Sequence, residues 1–326
     1  MNGEQLYVSV VEPLGPAIER VKTVLFRPFD LGKWFVIGFC AWLAQLGSAG
    51  GGGGGSGRGG SGGGGFRRRA FDFDDLLQRA REGMAAAREF VEANLIWIVP
   101  LAILGLTIMV GLWLLFTWLS SRGRFMFLHC VVENKGEVVV PWHKFRERGD
   151  SLFVFRIILG LIGFVVVAAG LLAASSCLID AATRGDARTI IVTVVTVILG
   201  IFLISIPLLI VKKFTTDFVI PIMFLQTASC TAAWRQFLPV LSANIMRFLL
   251  YLLFQIVIGF TIGILVVATV CITCCCAGCL FALPYIGTVA MLPVLVFGRS
   301  YSLYYLRQYG PPFDVFRAEQ QAAAPR

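Results

Sequence analysis

The chain has 326 residues, of which 57% are hydrophobic and only 14% are charged, and its formal net charge is +9. Because charged residues make up roughly 25% of a soluble globular protein, this composition excludes an ordinary soluble core. Segments of about 20 apolar residues can cross a bilayer as helices, which satisfy their own backbone hydrogen bonds. We therefore predict an all-α, polytopic transmembrane helix bundle of about six spans, with interfacial amphipathic helices and with membrane lipids as its partners.

The positive charge does not by itself indicate nucleic-acid binding. The basic residues lie mainly between apolar segments, as they do in membrane proteins. Neither zinc-finger spacing nor a basic aromatic RNA motif accompanies them. We expect no nucleic-acid partner, and the identity of any protein partner stays open.

Residues 1–30 are predicted to form an N-terminal interfacial segment. Within it, residues 16–27 place apolar side chains on one helical face, while Arg20 and Lys22 are set to meet lipid headgroups. The first span follows at residues 31–48 and is the shortest of the six. Lys33, near its start, can extend its ammonium group to the membrane surface.

A glycine-rich loop at residues 49–70 is interpreted as a flexible tether. A phosphate-binding P-loop would need a preceding strand and a Gly-Lys-Ser/Thr end, and the sequence has neither. Helical spacing then predicts a second interfacial helix at residues 71–94, which leads into the second span.

The remaining spans are predicted at residues 95–119, 152–176, 189–211, 247–273 and 281–298. With the first span they make up a transmembrane domain over residues 31–311, and a tail follows at residues 312–326. The last two spans are expected to form a tight hairpin, since no Asp, Glu, Lys or Arg occurs from Phe248 to Gly298. No such residue lies deep in any of the six predicted spans.

The distribution of Lys and Arg predicts that both termini are cytoplasmic. Basic residues concentrate before the first span, between the second and third, between the fourth and fifth, and in the tail. The positive-inside rule assigns such segments to the cytoplasm. The long glycine-rich loop, with Arg67, Arg68 and Arg69, departs from the rule.

Three stretches share an order of interfacial stretch, basic residue, span, tip and second span, with WHKF at Trp142 and WRQF at Trp234 in corresponding places. Either the chain contains three repeated helical hairpins, or its apolar segments resemble one another by chance. The residues at span ends are interpreted as membrane-interface anchors: Lys33, Trp142, Arg156, Trp234, Arg247 and Arg299.

Residues 212–311 contain the stretches TTDFVIPIMFLQTASCTAAWRQFLPVL and LPYIGTVAMLPVLVFGRSYSLYYLRQYGP. This third of the chain resembles uncharacterised bacterial multi-pass membrane proteins, which are similar to the membrane domain found beside some glycerophosphodiester phosphodiesterases. The resemblance rests on apolar and aromatic patterning and implies a helical membrane domain of unknown activity. It also implies a bacterial source, so we expect the protein in the inner (plasma) membrane of a bacterial cell. It supplies no catalytic residues, and the chain has no room for the soluble phosphodiesterase barrel.

The sequence carries no Gly-x-Ser-x-Gly, His-Glu-x-x-His or Walker motif, so we expect a non-enzymatic protein without a catalytic site, cofactor or metal. Its most unusual local feature is a cluster of five cysteines near the tip of the last hairpin. Small apolar side chains that allow close helix contact explain this cluster best, with metal binding or redox sensing as the alternative. The cluster consists of Cys271, Cys274, Cys275, Cys276 and Cys279.

Gln45 and Gln255 are the most polar residues deep in the predicted spans. They are interpreted as hydrogen-bonding groups between helices or as part of a substrate site. If they only connect helices, we expect a membrane-organising or accessory protein, which sets basic interfacial helices against anionic headgroups. If they form a substrate site, we expect a lipid or small-molecule transporter with a cavity near both glutamines.

Overall fold

The structure is a computed structural model that describes residues 8–46, 89, 92–184, 187–226, 228–273, 278 and 283–317. All regular secondary structure in these ranges is helical, as predicted. The glycine-rich loop at residues 49–70 lies outside them. In chain order the elements are α1 (Leu14–Leu25), α2 (Leu31–Gln45), α3 (Leu95–Glu133), α4 (Val139–Lys144), α5 (Arg146–Arg184), α6 (Ala187–Phe214), a π-helical turn (Thr215–Val219), α7 (Ile220–Gln226), α8 (Cys230–Ala243), α9 (Ile245–Ile272), α10 (Pro284–Ala290), α11 (Leu292–Arg307) and a 3₁₀ turn (Pro311–Phe313).

Four helical stretches are long and apolar enough to cross a membrane: Leu95–Glu133, Arg146–Cys177, Ile191–Gln226 and Ile245–Ile272. In each of them, at most 6% of the most apolar window is buried inside the protein. Leu172 in α5 and Phe260 in α9, for example, are 71% and 72% exposed. A continuous apolar surface of this size is typical of helices that lipid surrounds.

The first and sixth predicted spans take a different form. α2 has 15 residues, and at 1.5 Å per residue it is about 22 Å long, which is shorter than a bilayer core of about 30 Å. The predicted span at residues 281–298 is divided between α10 and α11, which meet at Met291. The break lies just before Pro293, which has no amide hydrogen to continue a helical ladder. α2 packs against both α10 and α11.

Two long helices continue well beyond the predicted spans. α3 extends to Glu133 instead of residue 119, and α6 continues through the π turn and α7 to Gln226 instead of residue 211. Arg122 and Arg124 belong to the basic residues predicted to lie between the second and third spans, since charges commonly mark span ends. Both arginines are buried in α3, together with the polar residues around them.

The buried core lies where α3 and α7 end and where α5 and α9 begin. Phe218 of the π turn stacks on Phe237 of α8 with ring centroids 5.2 Å apart, and it meets Phe248 of α9 edge-to-face at the same distance. Tyr305 of α11 lies 6.0 Å from the Phe218 ring. Such aromatic pairs add about 0.5–1.5 kcal/mol each beyond area burial, so this cluster holds the helix ends together.

α1 packs against α11 and contacts the end of α3 through Arg20. Arg20, predicted to face headgroups, is instead buried and donates from Nε to the Val131 carbonyl oxygen at 3.1 Å and from Nη2 to the Val132 carbonyl oxygen. These carbonyls are among the last four of α3, which receive no hydrogen bond from an amide of the same helix. The guanidinium also lies 4.9 Å from the centre of the Phe316 ring, so Arg20 connects α1, α3 and the C-terminal segment.

α2 and α3 approach each other closely at Gly123. A Cβ atom at this position would lie 2.7 Å from the Leu43 carbonyl carbon and from the Ala44 amide nitrogen. One turn away, Ser120 donates its hydroxyl to the Ala44 carbonyl oxygen at 2.7 Å. Small residues allow this backbone contact between apolar helices, and Ala44 also lines the cavity described below.

A short helix precedes a longer apolar helix three times, as α1–α2, α4–α5 and α8–α9. Trp142 lies in α4 and Trp234 in α8, so the two tryptophan motifs occupy corresponding places. This order agrees with a repeat of three helical hairpins, which itself stays a prediction.

Candidate functional site

A cavity of about 210 Å³ lies among α2, α3, α6 with its π turn, α9 and α11. Three cationic side chains and one carboxylate contribute to its wall, which gives an excess of two positive charges. Buried cations are costly unless they are paired or hydrogen-bonded, so each of these groups has to be accounted for. The polar lining consists of Gln45, Arg124, Lys213, Thr216, Asp217, Gln255 and Arg299.

The carboxylate belongs to Asp217, which the π turn presents to the cavity. Single π turns within α-helices are frequent at functional sites because they displace side chains from the regular helical register. Lys213, one turn earlier, lies 2.9 Å from Asp217 Oδ2. The buried Tyr251 hydroxyl of α9 donates to the same oxygen at 2.9 Å, and Gln255 Nε2 donates to that hydroxyl at 3.0 Å. One carboxylate oxygen is therefore held from two helices.

Thr216 brings two arginines from distant parts of the chain together. Arg124 of α3 donates from Nη1 to the Thr216 hydroxyl at 2.6 Å. Arg299 of α11 donates from Nη1 to the Thr216 carbonyl oxygen. The positive charges of Arg124 and Arg299 therefore lie side by side, and Arg124 also experiences the charge of Arg156.

Arg299 has two hydrogen-bond donors that nothing in the described structure accepts. Arg299 is only 8% exposed, and its Nε and Nη2 atoms are buried without a hydrogen-bond partner. Arginine keeps its proton in proteins, so the guanidinium is charged at neutral pH. The nearby Asp217 carboxylate compensates this charge only in part.

Two further arginines connect α3 to α5 beside the cavity. Arg156 donates from Nη1 to the hydroxyls of Ser120 and Ser121, each at 3.1 Å. Arg122 binds the Asp150 carboxylate, with Nη2 at 3.0 Å from Oδ1, and its guanidinium lies 4.2 Å from the Trp118 ring centre. These contacts fix the buried half of α3, which carries Arg124.

The structure brings Gln45 and Gln255 together at this cavity, although they lie far apart in the sequence. Gln45 is exposed at the C-terminal end of α2, whereas Gln255 is half-buried on α9. Of the predicted cysteine cluster, Cys271 is exposed at the end of α9. Cys274, Cys275, Cys276 and Cys279 lie outside the described residues.

The predicted interface anchors occupy varied environments. Arg299 differs most from the prediction, because it is buried in the cavity wall instead of lying at a surface. Lys33 donates to the Asn134 side chain at 2.7 Å, and Trp142 lies 5.1 Å from the Arg122 guanidinium. Trp234 stacks on Phe155. Lys33, Trp142, Arg156, Trp234 and Arg247 are all half-buried, and their role as membrane anchors stays a prediction.

Sequence reasoning missed Arg124, Lys213, Thr216 and Asp217. The spacing of Lys213 and Asp217 gave a signal, since residues four apart face each other on a helix. Arg124 gave none, because only tertiary packing brings it to Thr216.

Most of the chain, from residue 8 into α11, matches one protein family. Residues 8–296 match DUF7544, a family of unknown function. The chain belongs to the DUF7544 family. This membership confirms the prediction that the chain comes from an uncharacterised family. The resemblance to membrane domains beside glycerophosphodiester phosphodiesterases stays a prediction. No curated protein and no solved structure matches this DUF7544 member.

Proposed function

We propose that this member of DUF7544 is a non-enzymatic, multi-pass protein of the bacterial inner membrane that organises lipids or partner proteins. The observation that carries the proposal is the exposure of the apolar windows in the four long helices, of which at most 6% is buried. In water, that surface would drive aggregation, whereas in a bilayer it contacts acyl chains.

The chain path supports six crossings with both termini on one side. A spanning helix begins on one side of the membrane and ends on the other. α1 and Phe316 pack with the end of α3, and that end lies with the start of α5, the end of α7 and the start of α9. If all four long helices span, the chain must cross once more between Phe29 and Leu95, and once more between Ile272 and Phe316. Within the part of the chain that the structure describes, α2, and α10 with α11, are the apolar helices available for these two crossings.

Exposed basic side chains surround the buried core on this same side. Anionic headgroups on the cytoplasmic leaflet attract such residues by about 1 kcal/mol each near the surface. The positive-inside rule likewise assigns this side, and with it both termini, to the cytoplasm. The exposed basic residues include Arg27, Lys135, Lys144, Arg146 and Arg235.

The cavity favours a second function, transport of a lipid or small molecule. A transporter requires a polar site between its helices, and Gln45 and Gln255 line the same cavity as Arg124 and Arg299. Ionisable groups among apolar helices commonly mark the path of a substrate. We propose no catalysis here, because the lining supplies cationic donors and amides, and its single carboxylate is already bound by Lys213 and Tyr251.

Membrane fractionation tests the proposed location. The full chain is expressed in a bacterium, and the membranes are washed with alkaline carbonate, which removes peripheral proteins. We expect the protein to stay in the pellet and to be released only by detergent. Recovery in the carbonate supernatant would exclude membrane spanning.

Mass spectrometry of the gently purified protein then separates the two functions. Retained bulk lipid or a reproducible partner protein supports an organising role. A small solute in stoichiometric amount supports transport instead.

A further inference from the structure

Arg299 lines the cavity, and one edge of its guanidinium is unpaired. Nε and Nη2 of an arginine lie on the same side of the planar guanidinium, where their N–H groups point in parallel and match two oxygens of one anion. On Arg299 both of these atoms are buried and have no partner, while Nη1 is held by the Thr216 carbonyl oxygen. The guanidinium is therefore fixed in orientation with its bidentate edge unoccupied.

The same edge is occupied on two other buried arginines of this protein. Arg122 applies Nε and Nη2 to Asp150, at 3.4 Å and 3.0 Å from Oδ1. Arg20 applies Nε and Nη2 to the two carbonyl oxygens at the end of α3. Both comparisons indicate where the Arg299 edge can donate, namely to oxygens that carry negative charge or a strong dipole.

The charge of the cavity wall indicates how much negative charge the occupant carries. Arg124, Lys213 and Arg299 face one carboxylate, Asp217, which leaves two positive charges in excess. A carboxylate or a phosphodiester carries one negative charge, whereas a phosphate monoester carries about 1.5–2 at pH 7. The monoester alone nearly neutralises the excess, and its three terminal oxygens can accept from several donors at once.

We propose that this cavity binds a phosphate monoester, held side-on by Nε and Nη2 of Arg299 and neutralised by Arg124 and Lys213. The group is either the headgroup of a lipid such as phosphatidic acid or a phosphate from solution. Only the lipid source rests on the proposed membrane location; the anion site itself does not.

The position of the cavity along the helices suits a headgroup. It lies where the exposed apolar surface changes to the buried core: on α6 Leu209 is 55% exposed and Phe214 only 5%, and on α9 Tyr251 is fully buried and Ile256 is 67% exposed. Gln45, at the exposed end of α2, lines the cavity where it meets the surface. A headgroup phosphate entering beside Gln45 would leave its acyl chains against apolar side chains.

Thermal unfolding of the detergent-purified full chain tests the proposal, since a ligand that binds the folded state raises the midpoint in a concentration-dependent way. The probes are inorganic phosphate, short-chain phosphatidic acid and short-chain phosphatidylglycerol with the same acyl chains, each against chloride at equal ionic strength. We expect the midpoint to rise with phosphate, with phosphatidic acid or with both, and to rise far less with phosphatidylglycerol. A response to phosphate alone assigns a soluble source, and a response that requires phosphatidic acid assigns a lipid source.

Two variants and two matched controls identify the site. Arg299→Gln removes the charge and the bidentate edge. It should raise the ligand concentration needed for a given midpoint shift at least tenfold, since this is roughly the change in affinity that losing one charged hydrogen bond produces. Arg299 is buried, so its replacement can impair folding, and a second variant is needed at an exposed position. Gln45→Glu places a repelling charge at the exposed mouth of the cavity and should also weaken the response. Arg235→Gln and Gln236→Glu make the same changes at exposed sites on α8 and should leave the response unchanged.

The proposal is overturned if no phosphate species raises the wild-type midpoint. It is also overturned if phosphatidylglycerol acts as strongly as phosphatidic acid, or if Gln45→Glu responds like Gln236→Glu. None of these results bears on membrane fractionation, so failure of the site and failure of the proposed location are distinguishable.

Discussion

Tyr251 donates its phenolic hydrogen to Asp217 at 2.9 Å, and this bond connects α9 to the π turn that follows α6. Tyr251 is fully buried, and Asp217 is 7% exposed. The bond therefore stabilises a carboxylate that the cavity wall uses and that water hardly reaches.

Tyr251→Phe removes this hydroxyl and leaves Asp217 and Gln255 each without one buried partner. We expect a loss of about 1–3 kcal/mol in unfolding free energy, the usual cost of an unsatisfied buried polar group, measured as a lower thermal midpoint in detergent. The control is Tyr285→Phe, which removes the bond from an exposed hydroxyl to the Phe35 carbonyl oxygen and should change little. Equal effects of the two variants would contradict the importance assigned to the Tyr251–Asp217 bond.

Gly123→Ala tests the close contact of α2 and α3. The new methyl group would meet the backbone of Leu43 and Ala44 at 2.7 Å, so we expect the helices to separate at a cost of about 1–3 kcal/mol. Gly259→Ala in α9 is the control, because a Cβ atom there has nothing within 4 Å and alanine favours a helix. The thermal midpoint should fall for the first variant and stay level or rise for the second. A fall of the same size in both would show that the approach at Gly123 is unimportant.

Arg20→Lys tests the connection between α1 and the end of α3. Lysine keeps the charge but cannot bind the Val131 and Val132 carbonyls as a planar fork, so the midpoint should fall. Arg27→Lys, at an exposed position on the same segment, should have no measurable effect. If lysine at position 20 preserved the midpoint, charge alone would account for the contact.

Cys230 and Cys271 should differ in their reaction with N-ethylmaleimide at pH 8. Cys230 is 1% exposed, and burial raises its pKa to about 12, so its thiolate fraction at this pH is about a thousandfold below that of an ordinary thiol. Cys271 is exposed. In single-cysteine variants followed by mass spectrometry, Cys271 should be modified rapidly and Cys230 only after unfolding. Rapid modification of folded Cys230 would contradict its placement in the core.

The sequence was sufficient to locate helices whose apolar run is long and uninterrupted. The span predicted at residues 247–273 corresponds to Ile245–Ile272, because length and hydropathy alone determine such a helix. It was insufficient where polar residues continue a helix into a core. Arg122 indicated the end of a span, yet Asp150, 28 positions later, satisfies its charge and lets α3 continue.

The cavity shows the same limit. Gln45 and Gln255 were recognisable as unusual polar residues in apolar surroundings, and the structure brings them to one wall. Arg124 and Arg299 could not be paired from the sequence, because their meeting at Thr216 depends on the packing of three separate segments.

Sided cysteine labelling tests the membrane-spanning arrangement most directly. In a background without other cysteines, Cys271 is retained in one variant, and Lys135→Cys is introduced in another, at an exposed position just beyond α3. In the proposed arrangement, α9 separates Cys271 from the side of the membrane on which residue 135 lies. In intact cells, a membrane-impermeant maleimide should modify Cys271 directly and the cysteine at position 135 only after permeabilisation. Modification of both from the same side would contradict the account.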